Sequence, residues 1–179
     1  MRDWNAIVTV QGSGWKAALR LLRGMADVQP TAFYNVLLLK AADPRALLEA
    51  LRDAAASEPE AVACLARVVP VARTFVFQTP EEFEAWVREE VAALAPSLGG
   101  KSFYVRVHRR GFKGRLSSHA EERLSSLALL EALERAGTPG RVTFEDPDAV
   151  VLVETIGSQA GLSVWSREDL RRYPFIRPG

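Results

Sequence analysis

The apolar run Val150-Val151-Leu152-Val153 constrains the fold of this chain more than any other feature. A strand with one solvated face alternates apolar and polar side chains, whereas a strand covered on both faces is apolar throughout. The run lies within residues 149–155, which we therefore predict as a central strand of a sheet. This strand belongs to the second of two stretches of alternating strand and helix patterns, and together they predict an α/β (α+β) chain.

The first of these stretches, residues 1–77, has the order β-α-β-α-β. Strands are predicted at residues 4–10, 32–39 and 67–77, with a helix in each of the two intervals. The second helix begins at Asp43-Pro44, which supplies an acceptor for the N-cap and a proline for the first turn. Pro70 cannot donate to a sheet ladder, so the third strand lies at a sheet edge or begins after the proline. This order predicts a small ferredoxin-like domain at residues 1–77.

Capping boxes open two helices in the second stretch, residues 78–179. Thr79 and Glu82 form the first box, and Ser118 and Glu121 form the second. The leucines at positions 124, 127, 130 and 133 are predicted to form the inward face of the second helix. No long linker separates the halves, so we expect the ferredoxin-like domain to pack on a second α/β domain at residues 78–179.

A run of basic and aromatic residues that contains no acid extends from Lys101 to Arg115. Because successive side chains of a strand point to opposite faces, Phe103, Val105 and Val107 should face the core. The other face carries Tyr104, Arg106, His108 and Arg110. A local excess of positive charge attracts a polyanion even where, as here, the formal net charge is only +1.

This mixed face favours nucleic acid, because Arg and Lys pair with phosphates while aromatic and guanidinium planes stack on unpaired bases. The structural alternative is a solvated strand end whose arginines pair with nearby Glu or Asp. A basic, aromatic tail near the end of the chain adds two arginines to the candidate surface. The predicted RNA-binding residues are Lys101, Tyr104, Arg106, His108, Arg109, Arg110, Lys113, Arg115, Arg171 and Arg172.

Metal and cofactor chemistry find little support in the sequence. The two histidines, His108 and His119, and the single cysteine, Cys64, cannot supply a zinc-ligand set of the usual spacing. Gly12-Ser13-Gly14 lacks the flanking pattern of a nucleotide fingerprint, so a plain turn before a helix is favoured there. We therefore expect no metal, no cofactor and no catalytic site.

With 179 residues, of which 48% are apolar and 25% charged, the chain has the composition of a globular protein. No stretch approaches the roughly 18 consecutive apolar residues of a membrane span. The first residues, Met1-Arg2-Asp3-Trp4-Asn5, lack the apolar core and the cleavage site of a signal peptide. We expect a reduced, cytoplasmic protein.

Three pieces of the second domain resemble the THUMP domain, the RNA-binding module of thiouridine synthases, methyltransferases and pseudouridine synthases. They are residues 103–110, residues 144–154 and the tail at Arg171-Arg172-Tyr173. The match covers roughly residues 78–175. The ferredoxin-like prediction for residues 1–77 agrees with the small N-terminal domain that usually accompanies a THUMP domain.

The resemblance implies a tRNA-binding protein that holds the acceptor stem and its single-stranded 3′ end. The chain has neither the Ser-Gly-Gly-x-Asp-Ser loop of the thiouridine synthases nor the Asn-Pro-Pro-Tyr type motif of the methyltransferases. It is therefore similar to the standalone THUMP adaptor for tRNA cytidine N4-acetylation, whose partner is a separate acetyltransferase. Two other functions stay open: a regulatory or oligomerisation module that binds a small anionic metabolite, and a small catalytic domain.

Overall fold

The computed structural model of the chain describes residues 3–179 and divides them into two units. The first unit contains the described residues up to Thr74 together with Leu170–Arg177. The second contains Phe75–Asp169 together with Pro178–Gly179. The division between Thr74 and Phe75 lies close to the boundary after residue 77 that the sequence predicts. The domain limits 1–77 and 78–179 stay a prediction.

The segment Leu170–Arg177 groups with the first unit, although the sequence assigns it to the second domain. Its side chains explain this placement, because Tyr173, Phe175 and Ile176 are buried. The carbonyl oxygen of Phe175 also accepts the N–H of Val68 at 3.1 Å. The tail is therefore a packed part of the first unit.

The first unit has a four-stranded antiparallel sheet in the order β2-β3-β1-β4. In chain order its elements are β1 (Ala6–Val10), α1 (Trp15–Arg23), β2 (Asp27–Pro30), β3 (Val36–Lys40), α2 (Pro44–Ser57), α3 (Pro59–Val62) and β4 (Leu65–Pro70). The strands and the longer helices follow the β-α-β-β-α-β order of ferredoxin-like folds. The ferredoxin-like architecture predicted for this half is thus present, with one strand more than the sequence patterns indicate.

Strand β2 was not predicted, and the single strand expected at residues 32–39 begins only at Val36. The side chains of β2 are largely exposed, so no apolar alternation marks this strand. Pro30 at its end also argues against a strand. By contrast, the prediction for Pro70 is confirmed, because this proline ends β4 at the edge of the sheet.

The start signal of α2 is confirmed, and the turn expected at Gly12-Ser13-Gly14 leads into α1 without a side-chain cap. The side chain of Asp43 accepts the N–H of Arg45 at 2.9 Å and caps α2. Gly14 precedes α1, and a Cβ at this glycine would lie 2.8 Å from the Cβ of Cys64. This close approach gives the glycine of the turn a packing role.

The second unit is built on a five-stranded sheet in the order β5-β9-β8-β6-β7. The elements that follow β4 in the chain are β5 (Arg73–Val76), α4 (Pro80–Ala92), α5 (Ala95–Leu98), β6 (Ser102–His108), α6 (Ser118–Arg135), β7 (Arg141–Val142), β8 (Ala149–Ile156), β9 (Gln159–Ser166) and α7 (Arg167–Arg172). The first residues of β5 and the last residues of α7 group with the first unit. Strand β6 pairs in parallel with β7 and β8, and β8 pairs antiparallel with β9. Every residue of β8 is buried at the centre of the sheet, which confirms the expectation from its apolar run.

Helix α4 begins as predicted, whereas α6 begins one residue earlier than the second capping box requires. The hydroxyl of Thr79 accepts the N–H of Glu82 at 3.1 Å. The N-cap of α6 is Ser117, whose hydroxyl accepts the N–H of Ala120 at 3.3 Å. The predicted box of Ser118 and Glu121 is therefore wrong.

The inward face of α6 also differs from the prediction. Leu124 and Leu127 are exposed. The buried residues of this helix are Glu121, Ser125, Ala128, Leu129 and Leu133. Because leucines occur on several sides of α6, their spacing alone does not identify the face that packs on the core.

Glu121 is buried against α4, next to Glu84. Only 4% of Glu121 is exposed. Burial, followed by the charge and the hydrogen bond of Glu84, raises the pKa of Glu121 to about 7. This acid pair lies inside the second unit, where the sequence had indicated a helix cap.

Candidate nucleic-acid interface

The two faces of β6 divide as the sequence predicts. Phe103, Val105 and Val107 belong to the hydrophobic core of the second unit. On the opposite face Tyr104 is buried as well, and its ring centroid lies 5.2 Å from that of Phe144. Burial raises the pKa of Tyr104, even though the charge of Arg106 acts in the opposite direction. Tyr104 is therefore mainly a packing residue.

Arg106 lies beside two aromatic rings and one carboxylate. Its guanidinium carbon is 5.4 Å from the centroid of the Tyr104 ring and 5.8 Å from that of Phe144. Its Nη1 is 3.6 Å from Oε2 of Glu122. The other oxygen of Glu122 accepts the backbone N–H of Val107 at 3.0 Å. Helix α6 thus supplies a carboxylate that holds the edge of β6 and neutralises its central arginine.

Arg110 has a buried carboxylate partner. Its Nη1 is 2.8 Å from Oε2 of Glu154, and the side chain of Glu154 is fully buried on β8. The backbone N–H of Arg110 donates to the hydroxyl of Thr155 at 2.8 Å. These contacts give Arg110 a structural role, because a buried carboxylate requires a compensating charge.

The neighbours of Arg110 in the basic run also have partners inside the second unit. Nε2 of His108 lies 2.8 Å from the carbonyl oxygen of Pro178, which requires a proton on this nitrogen. Nη1 of Arg109 donates to the carbonyl oxygen of Gly111. Both side chains are half-buried.

Lys101, Lys113 and Arg115 are exposed. Lys101 precedes β6, while Lys113 and Arg115 follow it, so a strand roughly 20 Å long separates the two groups in the chain. The guanidinium carbon of Arg115 lies 5.0 Å from the centroid of the Phe112 ring. The basic run therefore leaves its accessible charge at its two ends rather than along the strand face.

The two predicted arginines of the tail lie in the first unit. Arg172 binds Glu49 of α2 through two hydrogen bonds of 2.7 and 3.0 Å. The hydroxyl of Tyr173 donates to the same carboxylate. The hydrogen bond from Arg172, followed by that from Tyr173, lowers the pKa of Glu49 to about 2. Arg171 is exposed.

The ten predicted residues have three kinds of environment, and Tyr104, His108 and Arg109 have the ring contact and backbone contacts described above. Arg106, Arg110 and Arg172 bind carboxylates, as the structural alternative to RNA binding proposes. The exposed cations of the predicted set are Lys101, Lys113, Arg115, Arg171 and Arg172, and of these Arg172 binds Glu49. The RNA contacts of these ten residues stay a prediction.

The structure adds residues near Arg106 that the sequence did not single out. An open cavity of about 460 Å³ is lined by Arg106, Phe144 and one face of α6, including His119 and Arg123. Phe144 belongs to the second THUMP-like piece of sequence, but its exposure could not be derived from that motif. His119 and Arg123 are brought to the site by the helical spacing of four residues.

The acids that precede β8 have structural partners. Asp148 accepts the backbone N–H of Ser102 at 2.8 Å and its hydroxyl at 3.1 Å, and these hydrogen bonds lower the pKa of Asp148. Arg167 contacts Asp146 at 2.8 Å and Asp148 at 3.3 Å. Within residues 3–179, no group of three or more His, Cys, Asp or Glu side chains could hold a metal ion.

Two further observations concern reactivity and membranes. Burial raises the pKa of the Cys64 thiol, which disfavours the thiolate that a nucleophile would need. None of the helices in the described part of the chain combines the length and apolar character that a membrane crossing requires.

Comparison with known proteins shows similarity of fold. No protein-family model and no curated protein matches the chain. Among solved structures, PH1313 from Pyrococcus horikoshii Ot3 superposes with a TM-score of 0.59 at 13% identity, over 90% of this chain and 54% of that one. TrmN from Thermus thermophilus has a TM-score of 0.57 at 24% identity, over 90% and 44% of the two chains.

A 4-thiouridine synthetase in complex with RNA and ATP is also similar, with a TM-score of 0.56 and 13% identity over 92% of this chain and 42% of that one. The chain thus spans roughly half the length of the solved structures that it matches. At these identities the likeness shows the fold alone. It supports the α+β class and is consistent with the THUMP-like fold that the sequence resembles.

Proposed function

We propose that this chain is a cytoplasmic tRNA-binding protein that recognises the acceptor stem and the 3′ end. The observation that carries the proposal is the exposed positive charge at both ends of β6, at Lys101, Lys113 and Arg115. Lysine and arginine side chains at a surface neutralise phosphates and release the counterions that surround RNA. The fold shared with a 4-thiouridine synthetase solved as an RNA complex adds support.

We further propose that the chain is a non-catalytic adaptor. By holding a folded tRNA near a separate modifying enzyme, such as an acetyltransferase, it would raise the local concentration of the target nucleotide. When the adaptor binds both the tRNA and the enzyme, the avidity of the enzyme for the tRNA can increase by about 10²-fold or more without a new catalytic group. Mass spectrometry should detect no modified nucleoside after the chain is incubated with tRNA and S-adenosylmethionine, ATP or acetyl-CoA. A modified nucleoside made by the chain alone would contradict the adaptor role.

Fluorescence anisotropy with labelled tRNA tests binding directly. The logarithm of the association constant should fall with the logarithm of salt concentration with a slope on the order of −3 to −5. Affinity should also be higher for tRNA with its free 3′ end than for a blunt RNA duplex of equal length, because unpaired bases can stack on protein side chains. No binding at low salt, or a slope near zero, would refute the proposal.

Substitution of Lys101, Lys113 and Arg115 by Ala tests the surface. If each residue contacts one phosphate, the slope should decrease in magnitude by about 2 to 3, at roughly 0.9 per contact. Arg135→Ala, an exposed cation in the last turn of α6, is the matched control and should leave the slope unchanged. Equal effects of the triple variant and the control would place the RNA surface elsewhere.

A further inference from the structure

The cavity between α6 and the β6–β7 side of the second sheet, here called the α6 groove, has an apolar floor. Its volume of about 460 Å³ lies within the roughly 300–1,000 Å³ of typical ligand clefts. Leu127 is 53% exposed and Phe144 is 66% exposed. The floor consists of Val105, Leu127, Leu130, Val142 and Phe144. Exposed apolar side chains that share one concave site indicate a binding surface.

Helix α6 has a core face and a groove face, and the groove face is mostly polar apart from Leu127 and Leu130. One packs on the core of the second unit through residues that include Leu129 and Leu133. The other faces the groove with residues spaced by three and four positions, as neighbours on one side of a helix are. These residues are His119, Glu122, Arg123, Ser126, Leu127 and Leu130. Leu127 and Leu130 are thus the apolar contribution of α6 to the groove, and the polar residues beside them form part of its rim.

The rim of the α6 groove carries an excess of positive charge. Its charged lining residues are Arg106, Arg123 and Glu122, so two arginines accompany one carboxylate. Glu122 is already 3.6 Å from Arg106. A second copy of this surface would bring like charges together, whereas an acidic partner would complement them. The charge distribution therefore favours a different chain that carries carboxylates.

The edge of β6 indicates the conformation of the occupant. Strand β7 pairs with β6 only at Ser102 and Phe103. Farther along, Glu122 accepts the backbone N–H of Val107 at 3.0 Å. An extended peptide would have to compete with this carboxylate for the strand edge. A helix satisfies its own backbone and needs only side-chain contacts with the groove.

We propose that the α6 groove binds an amphipathic helix of a second protein. Apolar side chains at positions i, i+3 or i+4, and i+7 of that helix contact Leu127, Val142 and Phe144. Its flanking carboxylates face Arg106 and Arg123. Lys101, Lys113 and Arg115 do not line the α6 groove, so peptide binding can be measured without RNA and compared with tRNA binding.

The probe is a labelled synthetic helix about 18 residues long, with Leu at the apolar positions and Glu and Ala elsewhere. A scrambled peptide of the same composition is the first control, and fluorescence anisotropy measures binding. The ordered peptide should bind at least roughly tenfold more tightly than the scrambled one. Leu127→Gln and Phe144→Ser should each weaken its binding roughly tenfold, because such anchors supply most of the binding energy.

Leu124→Gln is the matched control variant. Leu124 is an exposed leucine on the same helix, 40% accessible, but it does not line the α6 groove. Its substitution should leave peptide affinity unchanged. Arg123→Glu should weaken binding of the acidic peptide and strengthen binding of a version with Lys in place of Glu.

Several results would overturn the proposal. Equal affinity for ordered and scrambled peptides, or equal effects of Leu124→Gln and Leu127→Gln, would remove the groove as the binding site. If an oligoribonucleotide displaced the peptide and Leu127→Gln weakened RNA binding, the groove would belong to RNA. Self-association of the chain that Leu127→Gln abolished would make the occupant a second copy. Loss of tRNA binding with intact peptide binding would refute only the proposed function.

Discussion

Replacing Glu121 by Gln should stabilise the protein at pH 8 and change its stability little at pH 4. Glu121 is almost completely buried beside Glu84, and burial is the first cause of its raised pKa. The amide of Gln is uncharged at every pH and can still donate a hydrogen bond to a carboxylate. The substitution therefore removes the ionisation of this group while it keeps the size and the hydrogen-bonding capacity of the side chain.

The pKa of Glu121 gives the magnitude. In the folded protein it is raised to about 7 from an ordinary value of 4.5. At about 1.36 kcal/mol for each pKa unit, the charged form of Glu121 lowers the free energy of unfolding by about 3 kcal/mol. Between pH 4.5 and 7 the unfolded chain releases this proton while the folded chain retains it. The free energy of unfolding therefore falls with rising pH between pH 4.5 and 7. Above pH 7 the contribution of Glu121 to this free energy no longer changes with pH.

Urea unfolding followed by circular dichroism at pH 4, 6 and 8 measures the effect. The difference between Glu121→Gln and the wild type should grow from near zero at pH 4 to about 3 kcal/mol at pH 8. Glu131→Gln, an exposed position on the same helix, is the control and should show a small, constant difference. A difference for Glu121→Gln that is equal at pH 4 and pH 8, or a loss of stability at pH 8, would refute the reasoning.

Two further predictions concern the paired arginines. Arg110→Ala should lower the free energy of unfolding by about 3 kcal/mol or more, because it leaves the buried carboxylate of Glu154 without this partner; a melting temperature equal to that of Lys113→Ala would contradict this role. Glu49→Gln should destabilise the protein at pH 7, with a difference from the wild type that disappears as pH falls from 4.5 to about 2, because the depressed pKa of Glu49 stabilises the fold only while this group is ionised. An equal difference at pH 7 and pH 2 in urea unfolding would exclude the Arg172 and Tyr173 contacts as its cause.

Elements with strong local signals were predictable from the sequence. The central position of β8 follows from four consecutive apolar residues, and the starts of α2 and α4 follow from Asp43 and Thr79. Strand β2 lacks such a signal because its side chains are mostly exposed and only backbone pairing with β3 defines it. Backbone pairing of this kind depends on a partner strand and leaves little trace in residue type.

The faces of α6 were not predictable for a different reason. Leucines lie on both its core side and its groove side, so a spacing of three or four residues fits more than one face. The packing of α4 selects the face with Glu121, Ser125 and Leu129. This choice buries a carboxylate and exposes Leu127, which no rule based on residue type alone would favour.

The accessible charge of the candidate site was also not predictable from the sequence. The run from Lys101 to Arg115 contains no acid, yet Glu122 and Glu154 reach its arginines from α6 and β8. An acid-free stretch of sequence is thus not an acid-free environment, because partners come from segments that are distant in the chain. The sequence correctly locates positive charge but does not determine how much of it remains accessible.

The salt dependence of tRNA binding can show how much of the positive charge in the sequence is accessible to phosphates. If, among the predicted residues, only the exposed cations that bind no carboxylate in the structure, Lys101, Lys113, Arg115 and Arg171, contact phosphates, the slope should be about −3.6, at roughly −0.9 for each contact. If Arg106, Arg110 and Arg172 also exchanged their carboxylates for phosphates, the slope would approach about −6. Exchange at Arg110 would leave the carboxylate of Glu154 buried without this arginine, so we expect the smaller value. A slope near −6 that Arg110→Lys did not change would show that the additional phosphate contacts come from other residues.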